Sequence, residues 1–271
     1  MNFTNTCVSN MENALRGLRN PLNSWAKSDS KFGITSDLDL DEALEVIDIW
    51  CQEANVLPNE EEYDEAWNNY DEWLTKNGVL KNEHNCIEYA LLGPKDLNLA
   101  QRMIKAGSSD RKFLRQIFVS VDITAPLYWW KEADTYKVGT VANSTSTMHK
   151  LSSTPIDLSG FDLDDFNPDL VIHQKEPNAE NFVVKDAWVT IIEFCEILRR
   201  KYNETKDQRY WKELIRLLPE GWLQTRTWTG NYEILRNMYI QRQHHRLTEW
   251  HSFCDWVKTL PYANELILFD I

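Results

Sequence analysis

Residues 218–259 read LPEGWLQTRTWTGNYEILRNMYIQRQHHRLTEWHSFCDWVKT, and the fold turns on how this stretch is parsed. Pro219 stops a helix that Asp207 opens, because proline cannot continue the ladder of hydrogen bonds. Asn231 to about Thr259 is then the longest helical pattern in the chain. On a wheel of about 100° per residue, Leu235, Met238, Tyr239, Trp250, Phe253, Trp256 and Val257 share one arc, which predicts a buried stripe. Arg242, Arg246 and Glu249 fall inside that arc. Buried charge is costly unless it is paired or serves a ligand. Two readings follow: an internal network, with Glu249 three residues from Arg246, or a guanidinium in a pocket wall aimed at phosphate. His244, His245 and His251 lie nearby, but they do not form the H-E-x-x-H spacing, so no metal site is expected.

Working outward, Ile117, Val119, Val121 and Ile123 alternate with Phe118, Ser120, Asp122 and Thr124. That is the period-two mark of a half-buried strand over Leu114–Thr124. Pro126 suits the start of a helix running to about Asp134. Tyr136–His149 (YKVGTVANSTSTMH) is small and hydroxyl-rich, and reads equally as a polar loop lining a pocket or a plain surface loop. Ser152–Pro177 is acidic and turn-rich, so it reads as a long loop. Helices are expected at Lys95–Ala106 and from Asp186 to about Tyr202. Turns are expected at Asn20-Pro21 and Ser28-Asp29-Ser30.

The chain has 271 residues and a net charge of −13. Fourteen of its 42 acidic residues lie between Asp37 and Thr75, where there is no Lys or Arg, which leaves 28 acids against 29 bases elsewhere. This is a near-neutral body with one acidic block. The block reads as two amphipathic helices. One carries Leu44, Val46, Ile47 and Trp50 and ends at Pro58, and the other spans about Glu60–Lys76 with Tyr63, Trp67, Tyr70 and Trp73. Binding of duplex DNA is excluded, since it needs a basic stripe to neutralise several phosphates. No apolar run marks a signal peptide or approaches the roughly 20 residues of a membrane span, so a cytoplasmic location is expected. Cys7, Cys51, Cys86, Cys195 and Cys254 form no CxxC pair and read as reduced thiols.

The spacing LP-x8-WT-x-N-x5-N-x4-R falls on Leu218-Pro219, Trp228-Thr229, Asn231, Asn237 and Arg242. It resembles the C-terminal half of flavin-dependent thymidylate synthases. The strand to Ile123, followed by Ala125-Pro126 and a helix, resembles that family's approach to its signature loop. The likeness covers roughly Ala90–Trp256. It implies an α/β (α+β) fold: a central, mostly antiparallel sheet flanked by helices, with a long C-terminal helix. Residues 1–271 would form a single domain, with an acidic helical insertion at 37–85 and a loop insertion at 152–180.

The resemblance also implies roles. Asn231, Asn237, Lys137, Thr140 and Arg246 would hold FAD. Arg242 would contact a dUMP-type pyrimidine nucleotide, with Arg216 and Asn143, Ser144, Thr145 and Ser146 beside it. Glu132 stands where the family has Gln and would face the base or ribose; it is paired with Arg242 as the catalytic candidates. Thr135-Tyr136-Lys137 lies on the family's R-H-R, so Lys137 keeps a cation and Tyr136 replaces the His. Glu233 stands where the family has Arg, and Ile215 where it has another, next to Arg216. The family uses FAD as hydride carrier, a reduced nicotinamide and a folate one-carbon donor, and works as a homotetramer. The alternative is a non-catalytic relative that binds a nucleotide, or a protein partner through the acidic block.

Overall fold

A computed structural model describes residues 1–35, 75, 79–81, 87–146, 150–164, 166–173 and 181–271. The two helices expected across 37–76 lie outside these residues, as does His149. The described elements are strands β1 (Asn2–Ser9), β2 (Lys31–Thr35), β3 (Val79–Lys81), β4 (Ile87–Leu91), β5 (Phe118–Pro126), β6 (Val141–Ser144), β7 (Val171–Ile172), β8 (Phe182–Val183) and β9 (Leu223–Asn231). The helices are α1 (Met11–Arg19), α2 (Pro94–Ala106), α3 (Leu127–Ala133), α4 (Val184–Thr205), α5 (Gln208–Leu217), α6 (Tyr232–Arg242) and α7 (Thr248–Lys258). The sheet orders are β1-β5-β9-β6, β2-β4-β3 and β7-β8.

Strand β5 follows its alternation. Val119, Val121 and Ile123 are fully buried, while Ser120, Asp122 and Thr124 are half-buried on the other face. The polar set meets its counterparts on β9: Ser120 with Thr229, Asp122 with Thr227, and Thr124 with Thr225. One strand counts up as the other counts down, so the two are antiparallel, and hydroxyl pairs are a favourable cross-strand match. Pro126 is the N-cap of α3, one residue before its expected place inside the helix.

The residues divide into two compact units: 1–4, 122–135 and 142–228 in one, 5–121, 136–141 and 229–271 in the other. In the first, α4 and α5 enclose Leu151, Ile156, Phe161, Ile192, Cys195, Leu198 and Leu214. Trp188 and Trp222 meet the Phe161 ring edge-on at 5.7 and 5.2 Å. Asp207 caps α5 as expected, its Oδ1 accepting from the Arg209 backbone N–H. The turn-rich stretch expected as loop holds strand β7 and a short helical turn at Leu158–Gly160.

In the second unit, α1 buries Ala14, Leu15 and Leu18. Its last residue, Arg19, donates from Nε to Asp96 Oδ1 on α2 at 2.5 Å, with both residues buried. The other Asp96 oxygen accepts from the hydroxyls of Ser28 and Ser30 at 2.6 Å. Asp29 caps α2 by accepting from the Lys95 and Asp96 N–H groups. This clasp ties the end of α1, the approach to β2 and the start of α2. The serine turn was foreseen; the aspartate it binds lies 66–68 residues away.

The continuous helix expected over Asn231–Thr259 is instead two helices, α6 and α7, parted at Gln243–Leu247. Among the described residues the longest helix is α4. The histidines explain the break. His245 Nδ1 accepts from the Leu247 N–H at 3.2 Å, and His251 Nε2 lies 2.8 Å from the His245 carbonyl oxygen. Side chains thus take up backbone groups that a continuing helix would have paired. Because the break resets the angle, the wheel counted from Asn231 misplaces Arg246, which is exposed, whereas Glu249 is buried. No helix among the described residues is long and apolar enough to cross a membrane.

Candidate functional site

Helix α6 starts where β9 ends, and Asn231 makes that junction. Its Oδ1 accepts from the Ile234 N–H at 3.0 Å, a helix cap of the preferred kind. The other end of its carboxamide faces the 136–141 loop: a Cβ on Gly139 would come within 3.2 Å of Asn231 Nδ2. Gly139 has φ 79°, a backbone state glycine adopts freely. Thr140, half-buried, donates its hydroxyl to the Tyr136 carbonyl and closes the loop on itself. Lys137 is exposed at its tip.

Along α6, four side chains form one hydrogen-bonded chain. Arg242 donates from Nε to the Tyr136 hydroxyl at 2.8 Å. The Tyr136 hydroxyl donates to Gln241 Oε1 at 2.9 Å. Gln241 Nε2 donates to Asn237 Oδ1, again at 2.9 Å. The Arg242 guanidinium also lies 4.8 Å from the centre of the Trp250 ring and 5.5 Å from that of Tyr136, within cation–π range of both. The two rings meet edge-on at 6.1 Å, and His245 lies 6.2 Å from Trp250. Trp250 is fully buried and Tyr136 is 9% exposed.

The unit thus brings Asn231, Thr140, Asn237 and Arg242 onto one helix and the loop against it, with Lys137 on that loop. Arg246 lies in the turn after α6 and is exposed. Sequence reasoning assigned no role to Gln241 and saw Tyr136 only as a replaced histidine. The signal available was the i, i+4 spacing of Asn237 and Gln241.

Glu233 explains its own substitution. Arg111 donates from Nε to both Glu233 oxygens, at 3.1 and 2.8 Å. An acid at this position is paired within the fold. Below it, Arg236 is buried and donates to the carbonyls of Ile267 and Phe269 at 2.6 and 2.7 Å. Burial, with the nearby Arg111 charge, holds its pKa below the usual arginine range.

The remaining expected residues lie in the other unit. Asn143 and Ser144 are on β6, exposed, so part of the stretch expected as loop is a strand beside β9. Thr145 is exposed; its N–H donates to the Thr225 carbonyl and its own carbonyl accepts from Gln224 Nε2, both at 2.9 Å. The Ser146 carbonyl accepts from the Lys150 N–H. Glu132 is half-buried on α3. Arg216 is exposed on α5 and pairs with Glu213, one turn back. Ile215 packs against the Leu151–Leu214 core. Among the described residues, no group of three or more His, Cys, Asp or Glu gathers to hold a metal ion.

No protein-family model matches the chain, and no curated protein matches it in sequence. Solved structures do. The flavin-dependent thymidylate synthase of Helicobacter pylori, complexed with FAD and dUMP, superposes with a TM-score of 0.55 at 12% identity, covering 100% of this chain and 98% of that one. A second structure of the Helicobacter pylori enzyme with FAD and dUMP gives 0.55 at 14% identity, over the same shares. A UMP/dUMP methylase from Streptomyces cacaoi, bound with 5-Br UMP, covers 65% of this chain and 84% of its own, with a TM-score of 0.46 at 12% identity. At these identities the likeness to the Helicobacter pylori structures shows a shared fold.

Proposed function

We propose that this protein is a flavin-dependent thymidylate synthase-like enzyme, which binds FAD and acts on a pyrimidine nucleotide. One observation carries the reading. Asn237 and Arg242, the positions the family pattern gives to flavin and substrate, are joined through Gln241 and Tyr136 into a single hydrogen-bonded chain. Pre-set polar groups of this kind suit ligand recognition better than surface decoration.

The donor set has the right chemistry for a phosphate-bearing dinucleotide. Lys137 and Arg246 are exposed cations, Asn237 is an exposed carboxamide, and Asn231 and Thr140 fix the loop and helix start beside them. In this reading those five residues hold the flavin. Bound, the flavin would supply hydride transfer, with a folate as one-carbon donor and a reduced nicotinamide as reductant. Arg242 presents a planar fork to the nucleotide, for which guanidinium is better suited than ammonium. The substrate roles of Glu132, Arg216, Asn143, Ser144, Thr145 and Ser146 rest on the sequence resemblance alone. Association as a homotetramer belongs to the same reading. The exposed Ile191, Phe194 and Ile197 on α4 support association of some kind.

The test is direct. Purified protein is expected to show flavin absorbance, or to gain it on titration with FAD, and to melt at a higher temperature with dUMP or UMP. Protein that stays colourless with FAD and whose melting no pyrimidine nucleotide shifts would overturn the proposal.

A second reading, nucleotide binding without turnover, is favoured by the Glu233–Arg111 pair. It puts a neutralised acid where the family carries a cation. Protein that binds FAD and dUMP, yet consumes no reduced nicotinamide with folate present, would select it.

A further inference from the structure

We infer that helix α4 is a contact between two copies of this chain, paired antiparallel about a two-fold axis that crosses the helix between Cys195 and Glu196. The inference goes beyond the proposed function. It requires neither flavin nor nucleotide, and it fixes the face, axis and register of an association that the proposed function leaves open.

The argument starts from the periodicity of α4. A helix on the surface of a domain needs one apolar stripe, which it buries on the core. On α4 that stripe is Ile192, Cys195 and Leu198, all buried with the Leu151–Leu214 core. At about 100° per residue, Thr190, Phe194 and Ile197 fall on the opposite side. Phe194 is 50% exposed and Ile197 45%, and Ile191, at the edge of this second stripe, is 43% exposed. The Thr190 hydroxyl donates to the Asp186 carbonyl one turn back, so this residue brings a methyl group and no unmet donor. Clustered exposed apolar groups of this kind mark a contact with another molecule. The hairpin that leads into α4 adds to them, with Ile172 and Phe182 exposed and paired across β7 and β8.

The second stripe is its own complement. Phe194 and Ile197 lie equally far on either side of the midpoint between 195 and 196, and so do Thr190 and Lys201. In an antiparallel pair centred there, Phe194 of each copy faces Ile197 of the other, and Thr190 faces the apolar stem of Lys201. The end of the lysine stays in water, where it pairs with Glu204 of its own chain at 2.9 Å.

Charge selects a second copy as the occupant and sets its direction. Residues 184–194 carry Asp186 and Glu193 against Lys185, a net −1. Residues 195–205 carry Arg199, Arg200 and Lys201 against Glu196 and Glu204, a net +1. A foreign partner would have to present the same signs in reverse order, and a second copy turned end for end does so by symmetry. Glu193 then falls one turn from the facing Lys201, and the two helix dipoles oppose each other. A parallel pair would instead set Glu193 against Glu193 and Lys201 against Lys201, which repel.

The experiment measures the mass of the full-length chain in solution by light scattering over a concentration series, with circular dichroism as the folding control. F194E/I197E is expected to halve the particle mass at unchanged helix content, because the contact would bury unpaired carboxylates. E193K should weaken association about tenfold, and E193K/K201E should restore it to within about threefold, since the exchange keeps opposite signs facing. Cross-linking reads the register. In a background with Cys7, Cys51 and Cys86 changed to Ser, T190C/K201C is expected to oxidise to a covalent dimer on a denaturing gel. Positions 190 and 201 lie about 16 Å apart along one helix, too far for a disulfide within a chain. K201C alone should give no such band, because in this register the two copies of position 201 lie equally far apart.

An unmodified chain with the mass of one copy throughout the series overturns the inference, gives the stripe to a different occupant, and leaves flavin and nucleotide binding standing. An unchanged mass in F194E/I197E overturns it too, and puts association on another face. So does E193K/K201E associating no better than E193K, or bands of equal strength from T190C/K201C and K201C alone. Protein that binds neither FAD nor a pyrimidine nucleotide overturns the proposed function and leaves this contact in place.

Discussion

Glu233 and Arg242 sit on one helix, and their meaning comes from residues far away in sequence. Arg111, 122 positions upstream, gives Glu233 its partner, and Tyr136, 106 positions upstream, gives the Arg242 Nε–H its acceptor. The residues themselves could be read from spacing, but their partners could not, because no local pattern encodes a contact across a hundred residues. Gly139 is a related case. Its φ of 79° and its closeness to Asn231 Nδ2 predict that Gly139→Ala costs about 1–2 kcal/mol, seen as a lower denaturation midpoint. The cysteines give a chemical check at the same scale. Burial pushes the Cys254 thiol up to about 11 and raises Cys195 as well, while Cys7 is exposed. In a background with Cys51 and Cys86 changed to Ser, native protein at pH 8 is expected to titrate one thiol with Ellman's reagent. Two more should appear only on unfolding, since about a thousandth of Cys254 would be thiolate.

At the scale of elements, long periodic segments were readable and their joints were not. The alternation of β5, the cap of α5 and the close of α2 at Gly107 follow from local chemistry. The break between α6 and α7 does not. Periodicity ran on through Gln243–Leu247 because no Pro or Gly marks the stop, and the histidine contacts that stabilise it are tertiary in kind. Strands β1, β2, β3 and β4 were likewise unread, being short or weakly alternating. The clasp at Asp96 makes an element-level prediction. Burial alone would raise the Asp96 pKa, but the Ser28 and Ser30 hydroxyls and the Arg19 guanidinium outweigh it and hold it below the ordinary 3.8. A carboxylate whose folded pKa is depressed stabilises the fold above its unfolded value and loses that contribution as pH falls through the folded one. Asp96→Asn should therefore cost about 3–5 kcal/mol at neutral pH, by leaving Arg19 buried without its partner. In urea melts the gap between variant and unmodified chain should hold to about pH 5 and narrow below pH 3.8.

For the molecule as a whole, the fold was recognised chiefly through the seven defined residues of one motif, and superposition with the Helicobacter pylori structures over the full chain agrees with it. The rest of the sequence carries little of that signal, because a fold survives many substitutions that keep volume and pattern. The acidic segment is the part that motif explains least, yet the strands at its borders say something about it. β2 and β3 both pair antiparallel with β4, and Thr35 and Lys81 both stand opposite Ile87. Val79 stands opposite Tyr89, two residues further along the same strand. The chain thus leaves one small sheet at Thr35 and rejoins it at Val79, on the far side of β4. Residues 1–35 remain fastened independently through the Arg19–Asp96 clasp and the β2–β4 pairing. These attachments predict that the covalent link between them can be cut once folding is complete. A protease site engineered between 37 and 75 and cut in the native state should give two fragments on a denaturing gel that still travel as one particle through a sizing column. Such a nicked protein is a split protein in waiting, whose halves could be expressed apart and tested for reassembly.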